Sequence, residues 1–280
     1  MNEKKNAIIK FAVGFILLIV AYIPTLQWML TRWNAAESYY GHGFLIPFIS
    51  LYFVWQRRGI LGKAKISSSG IGLAMIAAGL LLHIMCAVLR VYFISGFSFV
   101  LVLYGLIFFT FGKEIAKNLM FPVLFLLTMI PLPLVMIGNL IVKLKLLVAQ
   151  TATLILNLTG FPSIRDGSTI RMPNSYVVVA APCSGLRSLI SLLTLGLLFA
   201  SVMKVSLLKK SILFLSSVPI AIAANITRVT LFAMINDLYG EKVSQGFFHD
   251  FSGFLLFGVA FAGLYGVSRV LERTRDGRPT

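Results

Sequence analysis

Runs of apolar residues recur along the whole chain and are separated by short polar or basic segments. A run of about 20 apolar residues is long enough to cross a hydrocarbon core of roughly 30 Å as a helix. Eight runs meet or approach that length, and each predicts a membrane-spanning helix. They lie near 10–30, 40–56, 70–89, 93–112, 115–131, 184–203, 211–234 and 249–270.

A ninth apolar segment, 132–158, carries a polar stripe, and it begins at Pro131 and Pro133, which interrupt a helix. Lysine within the hydrocarbon core is costly, so we expect an interfacial, re-entrant or bundle-facing helix that does not cross. Four polar residues of the segment fall within about 40° of one another at the 100° per residue of a helix: Asn139, Lys143, Gln150 and Asn157.

Composition supports an all-α polytopic membrane protein, because 58% of the residues are hydrophobic, 12% are charged and the mean hydropathy is +0.91. No polar stretch has the length of a soluble domain, so 1–280 is predicted to be one membrane domain. The N-terminal run is followed by no small-residue cleavage site, which favours a retained span over a cleaved signal. Cys86 and Cys183 are far apart, and neither a disulfide framework nor a metal or cofactor site is expected.

The basic residues predict the orientation. If the N-terminus is cytoplasmic and 132–158 does not cross, the cytoplasmic stretches are those around 4–10, 57–65, 113–117, 204–210 and 269–278, and all five are basic. Both termini are then cytoplasmic in a multi-pass cell-membrane protein. This topology and attraction to the anionic lipid bilayer account for most of the net charge of +16, so a nucleic-acid partner is not expected.

The same topology brings three reactive side chains to the non-cytoplasmic side. Cys183 begins the sixth span, and Arg228 lies roughly 27 Å beyond Lys210 along the seventh, close to the outer edge of the hydrocarbon core. His249 stands in the first turn of the eighth span. Because consecutive spans usually neighbour one another, we expect the three groups to lie close together.

Cysteine, histidine and arginine together suit acyl transfer through a thioester. A cysteine in the first turn of a helix is favoured as thiolate by the helix dipole. His249 would take the thiol proton and return it to the leaving amine. Arg228 would stabilise the oxyanion, with the backbone amides of Ser184 and Gly185 as further donors.

Nearby residues support these roles or compete for them. Asn225 lies three residues before Arg228 on the same helical face, and Arg187, four residues after Cys183, competes for the cationic role. Asp250 follows His249 directly, and adjacent helix positions do not face each other. Plain structural alternatives remain for each group: a packed cysteine, an arginine that snorkels to the headgroups, and an interface histidine.

Six motifs resemble those of the exosortase/archaeosortase group of membrane-embedded cysteine transpeptidases. The resemblance implies that Cys183, Arg228 and His249 are the catalytic residues. His42 lies in the first motif, at the outer end of the second span, where it either faces the site or caps a helix. The motifs are SYYGHGFLIP at 38–47, PLP at 131–133, LTGFP at 158–162, APCSGLRSL at 181–189, NITRV at 225–229 and HDFSG at 249–253.

The resemblance also implies a substrate class. Exported proteins that end in a short recognition motif, an apolar helix and a basic tail would be cut at the motif, which is typically of the Pro-Glu-Pro type in bacteria. The new C-terminus would pass to an acceptor, and water, an amine or a lipid could each resolve the thioester. Some family members carry a soluble C-terminal domain that is not found here, so the bacterial and archaeal subfamilies both remain open.

The loop before Cys183 predicts a small β-hairpin outside the membrane. Asp166-Gly167 is a favourable turn pair, and Val177-Val178-Val179 is β-branched. Its edge could hold an extended peptide by strand addition, or the loop could be a simple connector.

Two other functions compete with the thiol enzyme. A transporter or channel could use the intramembrane Arg and Asn as a pathway, although none of the nine acidic residues lies at the centre of a predicted span. An intramembrane serine protease would use Ser184 as its nucleophile. Two substitutions distinguish the thiol enzyme from the serine enzyme. Cys183→Ser should abolish processing by the thiol enzyme, whereas Ser184→Ala should abolish processing only if Ser184 is the nucleophile.

Overall fold

The computed structural model is a helical protein with one small sheet. It describes residues 2–35, 38–240 and 247–274, with the backbone alone at some of these positions, including Pro182 and 247–252. The chain divides into two compact units, 1–133 and 134–280.

Unit 1 is built around helix α6. Helices α1, α2, α5 and α7 contact it, and the α5–α6 pair approaches closely because glycines lie at the interface, with Gly72 against the backbone of Phe109. The 3-10 turns of the unit are Gly41–Phe44 and Leu126–Met129. Its helices are α1 (Asn2–Ala21), α2 (Ile23–Asn34), α3 (Ile46–Gln56), α4 (Arg58–Lys63), α5 (Gly70–Val88), α6 (Tyr92–Phe111) and α7 (Lys113–Phe125).

The first apolar run is bent. Helices α1 and α2 meet at an angle of 66°, where Pro24 interrupts the hydrogen-bond ladder. His83 of α5 spans the bend: its Nε2 lies 3.2 Å from the carbonyl oxygen of Ala21 and its Nδ1 lies 2.7 Å from Ser95 Oγ. Thr25 Oγ1 lies 2.7 Å from the same Ser95 oxygen. A polar network in which Thr25 and Ser95 are buried and His83 is half-buried therefore holds the bend against α5 and α6.

Unit 2 is built around helix α10 (Leu207–Tyr239), which contacts α8 (Leu134–Leu158), α9 (Leu186–Val202) and α11 (Phe247–Arg273). Between α8 and α9 lie the antiparallel strands β1 (Ile164–Asp166), β2 (Thr169–Arg171) and β3 (Tyr176–Val178), in that order across the sheet. In the register, Ile170 pairs with Arg165 on one side and with Val177 on the other. The predicted hairpin is therefore present, with a third strand, and Gly167 takes the positive φ of its first turn.

The expectation of an all-α polytopic membrane protein is confirmed, but the span count differs. Within the described residues, five helices are long and apolar enough to cross a membrane, or six if the bent pair α1–α2 is one span, against about eight expected. The second and fifth runs form only α3 and α7, of 11 and 13 residues. Helix α9, with 17 residues, is a shorter apolar helix.

Segment 132–158 forms one long helix, as predicted. Residues 131–133 are non-helical, as the prolines indicate, but α8 then runs unbroken for 25 residues and passes the same length and composition test as the other candidate spans. The polar stripe is solvent- or lipid-exposed along its length, so it does not face the interior of unit 2: Asn139, Lys143, Gln150 and Asn157.

Candidate functional site

The sheet of unit 2 leads directly to Cys183. Val177 and Val179 point into a buried core that also contains Ile170 and Val148 of α8. The amide of Val179 donates to the carbonyl of Ser168 at 2.9 Å, which extends the pairing of β3 by one residue. Cys183 follows four residues later and packs, half-buried, against the same core. The position of the thiol is therefore set by the sheet and by α8.

Cys183 lies in a 3-10 turn, Pro182–Ser184, that precedes helix α9. Its amide donates to the carbonyl of Ala180 at 3.0 Å. Gly185, the N-cap of α9, has φ +82°, and the helix begins at Leu186. The expected position of Cys183 in the first turn of the helix is wrong, because the left-handed Gly185 separates the thiol from the aligned amides of α9.

Ser184 has a structural position in this turn. Its side chain is only 1% exposed. Its hydroxyl donates to the carbonyl of Ala181 at 2.7 Å and accepts from the amide of Leu186 at 3.3 Å. Its own amide already donates to Ala181 at 3.2 Å, so it is occupied and does not offer the oxyanion contact that the sequence suggested.

Asn225 of α10 holds the backbone of Cys183. Its Nδ2 donates to the Cys183 carbonyl oxygen at 3.0 Å, and the side chain is 4% exposed. Gly185 packs against the same amide group, since a Cβ placed on Gly185 would lie 2.7 Å from Asn225 Cγ. The turn therefore requires glycine at 185 both for its backbone conformation and for the space that Asn225 fills.

The C-terminal end of α10 also fixes the far end of the hairpin. Asp237 Oδ1 accepts from the Asn174 amide and from the Ser175 hydroxyl, both at 3.2 Å. The buried Asn236 donates from Nδ2 to the Tyr176 carbonyl at 3.2 Å. One helix thus carries the side chains that hold both the turn at Cys183 and the tip of the sheet.

Helix α8 ties down the start of the same segment. Asn157 donates to the Ser163 carbonyl at 3.0 Å and accepts from the Ser163 amide at 2.8 Å. Gly160, with φ +86°, ends the helix, and the Phe161 amide returns to the Leu156 carbonyl. The segment from α8 to α9 is therefore anchored at both of its ends.

Arg228 lies one turn beyond Asn225 on α10 and is half-buried. Its Nη2 comes within 4.0 Å of the position that a Cβ on Gly253 would occupy, so the guanidinium reaches helix α11. His249 and Asp250 lie in the first turn of α11, and their side chains are outside the described part of the structure. Position 249 is one helical turn before Gly253 and therefore on the same face of α11.

Two other predicted site residues lie on other elements. Arg187, in the first turn of α9, is exposed. His42 belongs to unit 1, in the 3-10 turn Gly41–Phe44, where its ring stacks on Tyr40 with centroids 6.0 Å apart. Within the described residues, no three His, Cys, Asp or Glu side chains come together as ligands for a metal ion.

The sequence reasoning did not find the tethers on Asn157, Asn236 and Asp237. The sequence indicates Asn157 only as a member of the polar stripe of 132–158, and it indicates no role for Asn236 or Asp237. The sequence did carry one signal for these tethers. The helix ends are polar, and the backbone groups at the tips of a hairpin need hydrogen-bond partners. Asn225 was found, but as a neighbour of Arg228 rather than as the donor to Cys183.

The chain matches one family model, which is described as transmembrane exosortase and covers residues 30–266. This range covers most of each unit and contains all the candidate site residues. No curated protein and no solved structure gives a significant match.

Proposed function

Because the chain belongs to the transmembrane exosortase family, whose members are membrane-embedded sorting transpeptidases, we propose that it cleaves the C-terminal sorting signals of exported proteins through a thioester on Cys183. The observation that carries the proposal is the hydrogen bond from Asn225 to the Cys183 carbonyl. It fixes the thiol-bearing turn to the helix that carries Arg228 one turn further on, so a nucleophile and a cation share one rigid framework.

In the first half of the reaction, Cys183 Sγ attacks the carbonyl carbon at the recognition motif, and the thiol proton passes to His249. Arg228 stabilises the oxyanion of the tetrahedral intermediate, a contribution of about 3 to 4 kcal/mol where a donor is preorganised. The C–N bond then breaks, the leaving amine takes the proton from His249, and a thioester remains on Cys183.

In the second half, an acceptor nucleophile attacks the thioester, and the C–S bond breaks to restore the thiol. The acceptor could be an amine, a lipid or water. In each case the acceptor loses one proton as it attacks, and the departing sulfur of Cys183 gains one. We place the reaction on the extracytoplasmic side of the cell membrane, which the distribution of basic residues supports for the topology in which α8 does not cross. The tripartite signal of the Pro-Glu-Pro type is the proposed substrate in bacteria.

The hydrogen bonds of Ser184 favour Cys183 over the neighbouring hydroxyl as the nucleophile. Ser184 Oγ is buried and engaged with both Ala181 and Leu186, whereas Cys183 is half-buried. A serine nucleophile would have to break both bonds to reach a substrate carbonyl.

The test co-expresses the enzyme with an exported protein that carries a candidate sorting signal and reads the C-terminus of the product by mass spectrometry. Cys183→Ser and Cys183→Ala should abolish processing, and Ser184→Ala should retain it. A product extended by the mass of an acceptor indicates transfer, and a free carboxylate indicates hydrolysis. Processing that survives Cys183→Ala but is lost in Ser184→Ala would overturn the proposal in favour of a serine enzyme.

The side of the membrane is tested by thiol labelling. Cys86 is buried, with 4% exposure, so a membrane-impermeant maleimide added to intact cells should modify mainly Cys183. Cys86→Ala should label equally, and Cys183→Ala should not label. Labelling that appears only after the cells are lysed would place the thiol on the cytoplasmic side.

A further inference from the structure

Unit 1 contains a large apolar groove that the proposed reaction does not use. Its volume is about 980 Å³, at the upper end of the range of roughly 300 to 1,000 Å³ for small-molecule pockets. It is lined by residues of α1, α2, α3, α4, α6 and α7, nearly all of them aliphatic or aromatic. Along α1 it reaches from Lys4 to Ile19, about 22 Å at 1.5 Å per residue. This exceeds half of a hydrocarbon core of roughly 30 Å, so the groove can hold an acyl chain through one leaflet.

One end of the groove is cationic. Lys4 and Arg58 are the charged residues among its lining, and no carboxylate lines it. Both cations are held in place: Lys4 Nζ donates to the Gly62 carbonyl at 2.8 Å, and the Arg58 guanidinium lies 4.1 Å from the ring centroid of Trp55. Both also stand at helix ends, at the start of α1 and just beyond α3, where lipid headgroups lie.

The other end of the groove is uncharged. Trp33 and Met129 both line it, and Trp33 Nε1 donates to the Met129 carbonyl at 2.9 Å. The groove therefore has the polarity of a lipid, with a charged end at the helix termini and an apolar body.

From this arrangement we propose that the groove of unit 1 binds an anionic phospholipid, with its phosphate at Lys4 and Arg58 and its acyl chain along α1 and α3. Basic pockets between membrane helices are suited to anionic headgroups. The charge also selects against an apolar peptide helix with a basic tail, because the tail would meet two cations of the same sign. A zwitterionic lipid would bring its own ammonium group to the same cations.

The test titrates the purified full-length protein with phosphatidylglycerol or with phosphatidylcholine of identical acyl chains and counts retained lipids by native mass spectrometry. Two surface cations at about 1 kcal/mol each correspond to a preference for phosphatidylglycerol of about thirty-fold. The double variant Lys4→Gln/Arg58→Gln should reduce this preference to about three-fold or less. The matched control Lys113→Gln/Lys117→Gln removes two exposed charges that do not line the groove and should retain the full preference.

A second variant tests the groove without changing its charge. Leu51 lines the groove and is 64% exposed, so Leu51→Trp should fold normally and occupy part of the space. It should lower retention of phosphatidylglycerol at least ten-fold. The proposal is overturned if the wild type retains both lipids equally, if the control double variant loses the preference to the same extent, or if a synthetic apolar helix with a basic tail displaces phosphatidylglycerol at equal concentration. Each outcome is independent of processing by Cys183.

Discussion

Gly185→Ala tests whether the contact between the turn at Cys183 and Asn225 holds the site together. An alanine at a left-handed position costs about 1 to 2 kcal/mol, because its Cβ approaches the following carbonyl oxygen. The same Cβ would lie 2.7 Å from Asn225 Cγ, so the amide must move and its bond to the Cys183 carbonyl is lost, at about 0.5 to 1.5 kcal/mol. We therefore expect the free energy of unfolding to fall by about 1.5 to 3.5 kcal/mol, and processing of a co-expressed substrate to be lost.

Two other glycines of unit 2 separate these contributions. Gly160 has φ +86° and open space around its Cα, so Gly160→Ala should cost only the backbone part, about 1 to 2 kcal/mol. Gly266, within α11, has neither positive φ nor a close neighbour, and Gly266→Ala should be neutral or stabilise by up to about 1 kcal/mol. Both variants should process substrate normally.

The contact itself is measured by combining Gly185→Ala with Asn225→Ala. Once Asn225 is truncated, the clash and the hydrogen bond are both absent, so Gly185→Ala should then cost only its backbone part. The two changes should therefore deviate from additivity by about 1 kcal/mol, more than the 0.3 to 0.5 kcal/mol seen for independent sites. The free energies come from denaturant titration of the protein in mixed micelles. Additive costs, together with a cost for Gly185→Ala no larger than that for Gly160→Ala, would refute the reasoning.

Three further predictions address other parts of the structure. Arg228→Lys keeps the charge but loses the planar guanidinium, so processing should fall about a hundred-fold with little change in stability. Unchanged processing would mean that the side chain only reaches the lipid headgroups. His83→Ala removes the contact that spans the bend at Ala21. It should lower the free energy of unfolding by about 1 to 3 kcal/mol, which is the contribution of two hydrogen bonds within a membrane. A loss under about 0.5 kcal/mol would contradict the role of the network. Asp237→Ala should speed hydrogen exchange at the Asn174 amide about five-fold, as expected from the loss of about 1 kcal/mol of hydrogen bonding, while protection in β2 is unchanged.

The parts of the fold that follow from local pattern were predicted well. The runs at 70–89 and 93–112 correspond to α5 and α6 within one residue, because continuous apolar sequence fixes a membrane helix by length alone. The hairpin followed from Asp166-Gly167 and from the β-branched residues after it. These signals lie within a few residues of the structure that they specify.

The parts that depend on tertiary contacts were not predicted. The bend at Pro24 is stabilised by His83, some sixty residues away. Helix α8 is long and apolar enough to cross a membrane, whereas its lysines led us to expect a helix that does not cross. At the site, the left-handed Gly185 separates Cys183 from α9, and only the packing of Asn225 explains why. A Cys-Ser-Gly sequence alone could equally have continued the helix.

Helix α10 is 33 residues long, or about 50 Å at 1.5 Å per residue, against a hydrocarbon core of roughly 30 Å. The helix must therefore tilt within the bilayer or project beyond it. The balance between the two depends on the hydrophobic mismatch, which is set by the length of the lipid acyl chains. Since Asn225 and Arg228 are carried on this helix, the depth of the proposed site varies with the thickness of the surrounding bilayer. Organisms that remodel their lipids in the cold would therefore alter how readily a water-borne acceptor reaches the proposed acyl-enzyme.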